Sequence, residues 1–486
     1  MSKEVTLDPE NWDEMKALGH RMLDDMMDEL ENIRTFSLRF PSEKDVSNIL
    51  TPLTDEGEGE EPVYNVFKEN MLPSLFINAR PRFWSHVGGT GSAYGMLAEI
   101  LASGTNCGVE STVSSYYTHK QVIDWIKELL EYPEEAGGVL VAGGSEANFT
   151  GLAVARNAKA KQDMKTKGIQ GLPEKMTLYG SEEMHHYLER SVELLGLGNE
   201  SLRWLPTDDE YKIKIPSLRK AITEDKTNGM HPFCIIGNAG TINSGAFDDF
   251  KTLKNIADKE NMWLHVDGAF GSWVKLSETH RHLADGLELA NSLAIDLHKW
   301  MYMPMGIGCA LVRDKEAHYS TFVYGHEAQY LKTLKAQTSQ TALTSPHNLA
   351  LPLSRNFISL KAYMLLRAYG KKKYKQLIQQ NLDQIQYLSE LIEKAPDLEV
   401  TAPVTSNVVC FRYIKEGLTE ELSEKLNRDI LTKLNASNPI MISDTTLKGK
   451  YMLRACCVNH RSRREDFDYL VNEIKKIGAE LEKEYH

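Results

Sequence analysis

The sequence predicts an α/β protein: a large domain on a mainly parallel central sheet, with a smaller α+β domain at the C-terminal end. Two observations carry this. Between residues 79 and 313 short apolar β-type runs alternate with helical patterns, as βαβ units with strands buried on both faces do. After residue 351 the order changes to one long amphipathic stretch followed by strands flanked by helices. The 486 residues are enough for about three domains. Hydrophobic residues at 42% and charged residues at 26% exclude a disordered, collagen-like or disulfide-scaffold chain.

In chain order, residues 1–78 read as a helical arm and linker. Met15, Leu18, Met22, Met26 and Leu30 recur at three- and four-residue steps within 9–34, which predicts an amphipathic helix. That helix is either an ordinary surface helix or an arm that docks on a partner subunit. The acidic stretch 51–62, with two Pro and two Gly, separates it from the rest. Residues 79–350 form the large domain. Its expected strands are 138–142, 177–179, 233–236, 263–266, 292–295 and 307–312. Residues 351–486 form the small domain, with a helical stretch over 353–393 interrupted near Gly370. Strands follow at 398–400, 407–413 and 451–457, and helices at 419–434 and 464–484.

Lys+Arg at 56 against Asp+Glu at 68 gives a net charge of −12, which argues against nucleic acid as a partner. No CxxC pair occurs among the six cysteines, so zinc-type spacing is absent and free thiols are expected. The stretch MSKEVTLDPENWDEM lacks the apolar core of a secretory signal. No apolar run approaches the ~20 residues of a membrane span. The expected location is cytoplasmic.

Four motifs can carry chemistry. Gly143-Gly-Ser-Glu-Ala-Asn148 follows a strand and opens a helix. Ser145 would cap that helix, whose exposed amides suit an anion. The spacing is neither a Walker loop nor a dinucleotide fingerprint, and a plain strand-to-helix turn is the alternative. Asp267, in Trp263-Leu-His-Val-Asp-Gly-Ala269, ends a buried strand, where ligands bind in open α/β sheets. It could hold a cationic ring nitrogen or serve as a cap. Lys299, in Asp296-Leu-His-Lys-Trp300, ends the next strand; a lysine there is a Schiff-base candidate. His185, in Met184-His-His-Tyr187, could stack on a flat ring or lie at the surface. Together the four supply an anion cradle, a carboxylate, an imidazole and an amine, which is the set pyridoxal phosphate requires.

These motifs resemble the group II pyridoxal-phosphate-dependent amino acid decarboxylases, the family of aromatic-L-amino-acid, glutamate and histidine decarboxylases. The likeness runs from about Pro81 onward and is nearest the bacterial aromatic-L-amino-acid type. It also rests on Arg80-Pro-Arg-Phe-Trp84, Ser354-Arg355 ahead of Ser359-Leu-Lys361, and Leu453-Arg454 ahead of Asn459-His-Arg461. The resemblance implies the fold-type-I architecture, a homodimer with shared active sites, and decarboxylation of an L-amino acid, aromatic favoured, through a lysine Schiff base and a quinonoid. It makes Lys299, His185 and Asp267 the catalytic set. Gly144 and Ser145 would bind phosphate, with Thr241 helping. Asp267 would pair with the pyridine nitrogen, Ala269 and His185 would cover the two ring faces, and Asp296 and His298 would sit beside the lysine.

The sequence departs from the family at three places. Thr112-Val-Ser-Ser-Tyr-Tyr-Thr-His119 puts His119 where Glu is usual and Tyr116 where Thr is usual. No tyrosine lies between Lys332 and Arg355, where typical members carry one that protonates the quinonoid; Tyr330 is the nearest, and His347 is a substitute acid. Relatives lacking that tyrosine release an aldehyde by oxidative deamination, which is the rival reaction. His86 and Gly88 replace the family's aromatic and Pro. Trp84, His86 and Tyr116 could line a substrate pocket for a flat side chain or pack in the core, and His86 could equally receive an acidic or polar group. Arg454 reads as structural.

Overall fold

The computed structural model describes residues 4–35, 38–108, 112–323, 346–437 and 439–485. The chain forms two compact units, Met1–Phe83 and Trp84–His486.

In the first unit the expected N-terminal helix spans Trp12–Glu31, with the Asn11 side chain accepting from the N–H groups of Asp13 and Glu14. Leu18 is its buried position. Asp25 binds the Tyr64 hydroxyl at 2.5 Å and Lys68 Nζ at 2.8 Å, tying this helix to the segment that follows the acidic loop.

The second unit contains two sheets. The large one has seven strands, β1 Gly137–Val141, β2 Met176–Ser181, β3 Leu202–Leu205, β4 His231–Asn238, β5 Trp263–Asp267, β6 Ser292–Asp296 and β7 Gly308–Val312. Their order is β1-β7-β6-β5-β4-β2-β3. Strands β3, β2, β4, β5 and β6 are paired in parallel, and β7 alone runs antiparallel, between β6 and β1. The mainly parallel sheet is therefore as expected. Every position of β5, β6 and β7 is buried, which is why these strands read as unbroken apolar runs. The strand absent from the sequence reading is β3. It is a four-residue edge strand with a partly exposed Arg203-Trp204 centre.

The small sheet is antiparallel throughout. It consists of β8 Leu398–Val400, β9 Val408–Tyr413, β10 Ser443–Leu447 and β11 Lys450–Cys456 in the order β10-β11-β9-β8. Strand β10 escaped prediction because Ser-Asp-Thr-Thr-Leu offers no apolar signal until its last residue. Helices Glu420–Ser437 and Arg464–Leu481 cover this sheet. The long helix Ser359–Glu393 begins six residues later than expected and is broken at Gly370, whose φ of 67° lies in the left-handed region.

Of the two places open to Trp84, substrate pocket or core, the ring packs in the core of this small sheet. Its side chain is fully buried and its ring stacks on Phe467 at 4.4 Å. Its indole N–H donates to Ser462 Oγ at 3.0 Å. Its backbone N–H donates to Met441 O at 2.7 Å, and its carbonyl accepts from Cys456 N–H at 2.9 Å.

Candidate active site

The strand ends of the large sheet converge on one cavity of about 450 Å³. Register explains the convergence. Asn238 at the end of β4 lies opposite Asp267 at the end of β5. Asp267 is level with Ala294 on β6, and Asp296 at the end of β6 is level with Gly308. Strand β1 ends beside them and feeds the helix Gly144–Lys159. Gly144, Ser145, His185, Asp267, Ala269, Asp296, His298 and Lys299 all line this space. Residues more than a hundred positions apart are thus brought together by sheet pairing.

The lysine amine sits over a buried acid. Lys299 Nζ is 2.8 Å from Asp296 Oδ2, and the Asp296 side chain is 1% exposed. The other carboxylate oxygen, Oδ1, has no hydrogen-bond partner and lies 3.8 Å from His298 Nδ1. His298 Nδ1 is 2.9 Å from the Ile307 carbonyl. Burial holds the His298 ring below the usual imidazole range, although Asp296 pulls the other way.

The glycine pair packs against this acid. A Cβ on Gly144 would stand 2.6 Å from Asp296 Oδ2 and 3.2 Å from the Ala269 Cβ. The helix can start so close to β6 only without that carbon. Ser145 does not cap the helix; Gly143 occupies the N-cap with no side-chain bond. Ser145 is instead the second helical residue, at the mouth of the cavity, where its main-chain N–H belongs to the unpaired first turn. Gly89 is a second close approach, and the sequence reading passed over it. Its Cβ would lie 1.9 Å from the His298 carbonyl oxygen.

Asp267 accepts the Ala269 N–H at 3.0 Å through Oδ1 and is 6% exposed. His185 Nδ1 accepts the Tyr187 N–H at 3.1 Å, which places the proton of the neutral ring on Nε2. Burial pushes the His185 pKa down, outweighing the charge of Asp267. Below the cavity a polar line braces helix against strands. Trp263 Nε1–H donates to Ser292 Oγ at 2.8 Å, and Ser292 Oγ lies 2.7 Å from His265 Nδ1. His265 Nε2 is 2.8 Å from Asn148 Oδ1, and Asn148 Nδ2 donates to the Gly144 carbonyl at 2.9 Å. A neutral imidazole satisfies every member, and burial holds His265 down at about 4. The sequence shows a histidine in an apolar strand but not its partners on two other elements.

The remaining predicted residues lie elsewhere in the chain. Thr241 is beside the cavity, but its hydroxyl is engaged in its own turn, 2.8 Å from Ser244 Oγ and accepting from Ala246 N–H at 3.0 Å. His86 keeps much of its surface exposed, but partial desolvation by its neighbours and then the Arg454 charge lower its pKa. Tyr116 lines a different cavity of about 610 Å³ together with His119, and its ring packs edge-on against Tyr117 at 5.3 Å. His119 is buried and pushed down to about 3 by burial and by the Arg355 charge. His347 faces a third cavity, with Nδ1 2.9 Å from the Leu353 carbonyl. Helix faces and loops, unlike strand ends, gave no register from which to place these side chains. Tyr330 and most of the tyrosine-free stretch lie outside the described residues. Arg454 is buried, donating to Ser85 O at 2.6 Å and Ser443 Oγ at 3.1 Å. All six cysteines are unpaired. Among the described residues no helix is long and apolar enough to cross a membrane.

The model of the pyridoxal-dependent decarboxylase conserved domain matches residues 46–414. The chain is 29% identical over 492 residues to the aromatic-L-amino-acid decarboxylase of Bacillus atrophaeus, covering 100% of this chain and 99% of that one. It is 28% identical over 461 residues to the phenylacetaldehyde synthase of Arabidopsis thaliana, covering 92% of each. Among solved structures, Oryza sativa TDC with PLP and tryptamine superposes with a TM-score of 0.89 at 21% identity, covering 98% of this chain and 100% of that one.

Proposed function

This chain belongs to the pyridoxal-dependent decarboxylase family and is a pyridoxal-phosphate-dependent amino acid decarboxylase, and we propose that its substrate is an aromatic L-amino acid, released as the amine with carbon dioxide. The observation that carries the assignment of residues is the meeting of Lys299, Asp267 and His185 in one cavity beside the Gly143–Gly144 turn. These residues fit the cofactor. The helix that begins at Gly144 turns its unpaired first-turn amides into the cavity, a place suited to phosphate. A carboxylate and an amine stand at the strand ends.

When bound, pyridoxal phosphate supplies the electron sink for the carbon–carboxylate bond. The protein's own residues do the rest. The first-turn amides at Gly144 and Ser145 would take the phosphate, and Asp267, with Oδ1 held by the Ala269 N–H, would pair with the pyridine nitrogen. Asp296 keeps the Lys299 amine aimed into the cavity. His185 would offer a flat surface to one face of the ring, with Ala269 on the other. Holding the scissile bond at a right angle to the ring selects which bond breaks.

An aromatic substrate is supported by the names of relatives at 26–29% identity, among them aromatic-L-amino-acid, tyrosine and tryptophan decarboxylases. A second reading has its own observation. The absence of tyrosine between Lys332 and Arg355, with phenylacetaldehyde synthases among the relatives, favours oxidative deamination to an aldehyde. The proposed assembly is a homodimer with shared sites, of the bacterial type, in the cytoplasm. Its proposed domains are 1–78, 79–350 and 351–486. The test is a product assay on the holoenzyme with separate L-amino acids, in air and without oxygen. An amine from aromatic substrates under both conditions is expected. Aldehyde with peroxide, formed only in air, would select the second reading, and turnover of acidic or polar amino acids alone would reject the aromatic assignment.

A further inference from the structure

We propose that Tyr187 is a positioning residue of the cofactor site: its phenol hydroxyl steadies the Asp267 carboxylate, and its main-chain N–H and ring steady His185. This rests on the reading of Asp267 as the partner of the pyridine nitrogen.

Tyr187 opens the helix Tyr187–Leu194 and lines the cavity that holds Asp267 and His185. Its N–H donates to His185 Nδ1 at 3.1 Å, which fixes the tautomer, and its ring stacks on the imidazole with centroids 5.8 Å apart at 25°. The histidine is therefore held from behind by one residue through two contacts. The hydroxyl is the part that packing leaves unexplained. It is buried and has no hydrogen-bond partner in the structure. A buried donor without an acceptor is rare enough in folded proteins to need a reason. Phenylalanine would fill the same space without that cost. The carboxylate whose charge reaches the hydroxyl is Asp267, which together with burial holds the phenol proton on well above its ordinary range. Asp267 has one oxygen occupied by the Ala269 N–H, so its aim depends on what meets the carboxylate from the other side. Asp267 shares the cavity and is the acceptor that acts on this hydroxyl; a bond between them satisfies the donor and orients the carboxylate together.

The test is cofactor affinity, not turnover. Apoprotein is titrated with pyridoxal phosphate, and Kd is read from quenching of tryptophan fluorescence. Tyr187→Phe is expected to raise Kd about tenfold, the scale of a hydrogen bond to a charged group. In an Asp267→Asn background the same change is expected to alter Kd less than twofold, because the hydroxyl acts through the carboxylate. An unchanged Kd in Tyr187→Phe, or an equal loss in both backgrounds, overturns the proposal. Asp267→Asn alone leaving both Kd and the visible absorption of bound cofactor unchanged overturns instead the reading of Asp267 on which it stands. Should the Phe variant fold poorly, 3-fluorotyrosine at position 187 keeps the shape and strengthens the donor. It is expected to lower Kd, and no change would count against the proposal.

Discussion

The cavity at Lys299, about 450 Å³, and the cavity at Tyr116, about 610 Å³, each hold a buried histidine, His298 and His119, yet they are built differently. The first is made of strand ends. Asp267 is level with Ala294, two residues before Asp296, and Asp296 is level with Gly308 on the one antiparallel strand. The second is made of helix faces and loop segments, with His119 and His318 inside it. In the first, Asp296 Oδ1, Glu146 Oε1 and the Tyr187 hydroxyl lack partners, although the neighbouring His265 line is fully engaged. In the second, both ring nitrogens of His119 and Nδ1 of His318 lack partners. Backbone pairing fixes the position of a strand-end side chain to within a residue, whereas a helix face depends on what packs against it.

The comparison can be broken at its strongest point first. Lys299→Ala is expected to lower amine formation by more than about a thousandfold, with loss of the visible absorption of bound cofactor, measured by mass spectrometry and spectrophotometry. A variant that keeps even a tenth of the activity would mean that the strand-end amine is not the reacting group. Trp84→Ala should act oppositely. It removes a fully buried ring stacked on Phe467, so stability should fall by about 3–5 kcal/mol, while the KM of protein that remains folded stays near the parent value. A selective rise in KM would return Trp84 to the substrate pocket.

Acid should separate the regions more gently. His265 and His318 are held at about 4 and His119 at about 3 by burial, against an unfolded value of ~6.5. The unfolded chain therefore takes up these protons first. The stability contribution is complete above pH ~6.5 and is lost as pH falls toward 4, by about 1.4 kcal/mol per pH unit for each ring at most. Denaturant melts from pH 8 to 4 would show a plateau and then this decline; a flat profile would mean that the rings are not neutral and buried. Replacing His119 with Phe, which removes the unpartnered nitrogens, should flatten part of the slope. The smallest effect is expected for Gly144→Ala, whose new carbon meets Asp296 Oδ2 at 2.6 Å. Kd for pyridoxal phosphate should rise about tenfold, or about 1.4 kcal/mol.

The same contrast explains what could be read from the sequence. Asp267, Asp296 and Lys299 were legible because each closes an apolar run, and the end of such a run is a definite place in an α/β sheet. His185 was legible only as a possible ring partner, because its position depends on the Tyr187 contacts. In the sequence Trp84 stays open between pocket and core for a physical reason. Its neighbours Ser462 and Phe467 are some 380 residues away in sequence, and nothing local marks an indole as core or pocket. Strands β3 and β10 were illegible because an edge strand needs no apolar face on its exposed side. Gly89 carried no signal, since its role is the passage of another backbone 1.9 Å from where its Cβ would be.

The line from Trp263 through Ser292, His265 and Asn148 to the Gly144 carbonyl has a direction. Every hydrogen points the same way along it, from indole to carbonyl, and the neutral imidazole passes that sense from one nitrogen to the other. Reversing one link would require reversing its neighbours, and the two ends, an indole that can only give and a carbonyl that can only take, forbid it. The five residues consequently behave as a single letter in the sequence's alphabet. A change at Ser292 or Asn148 is a change at the helix start beside Lys299, and it is tolerable chiefly when the others change with it.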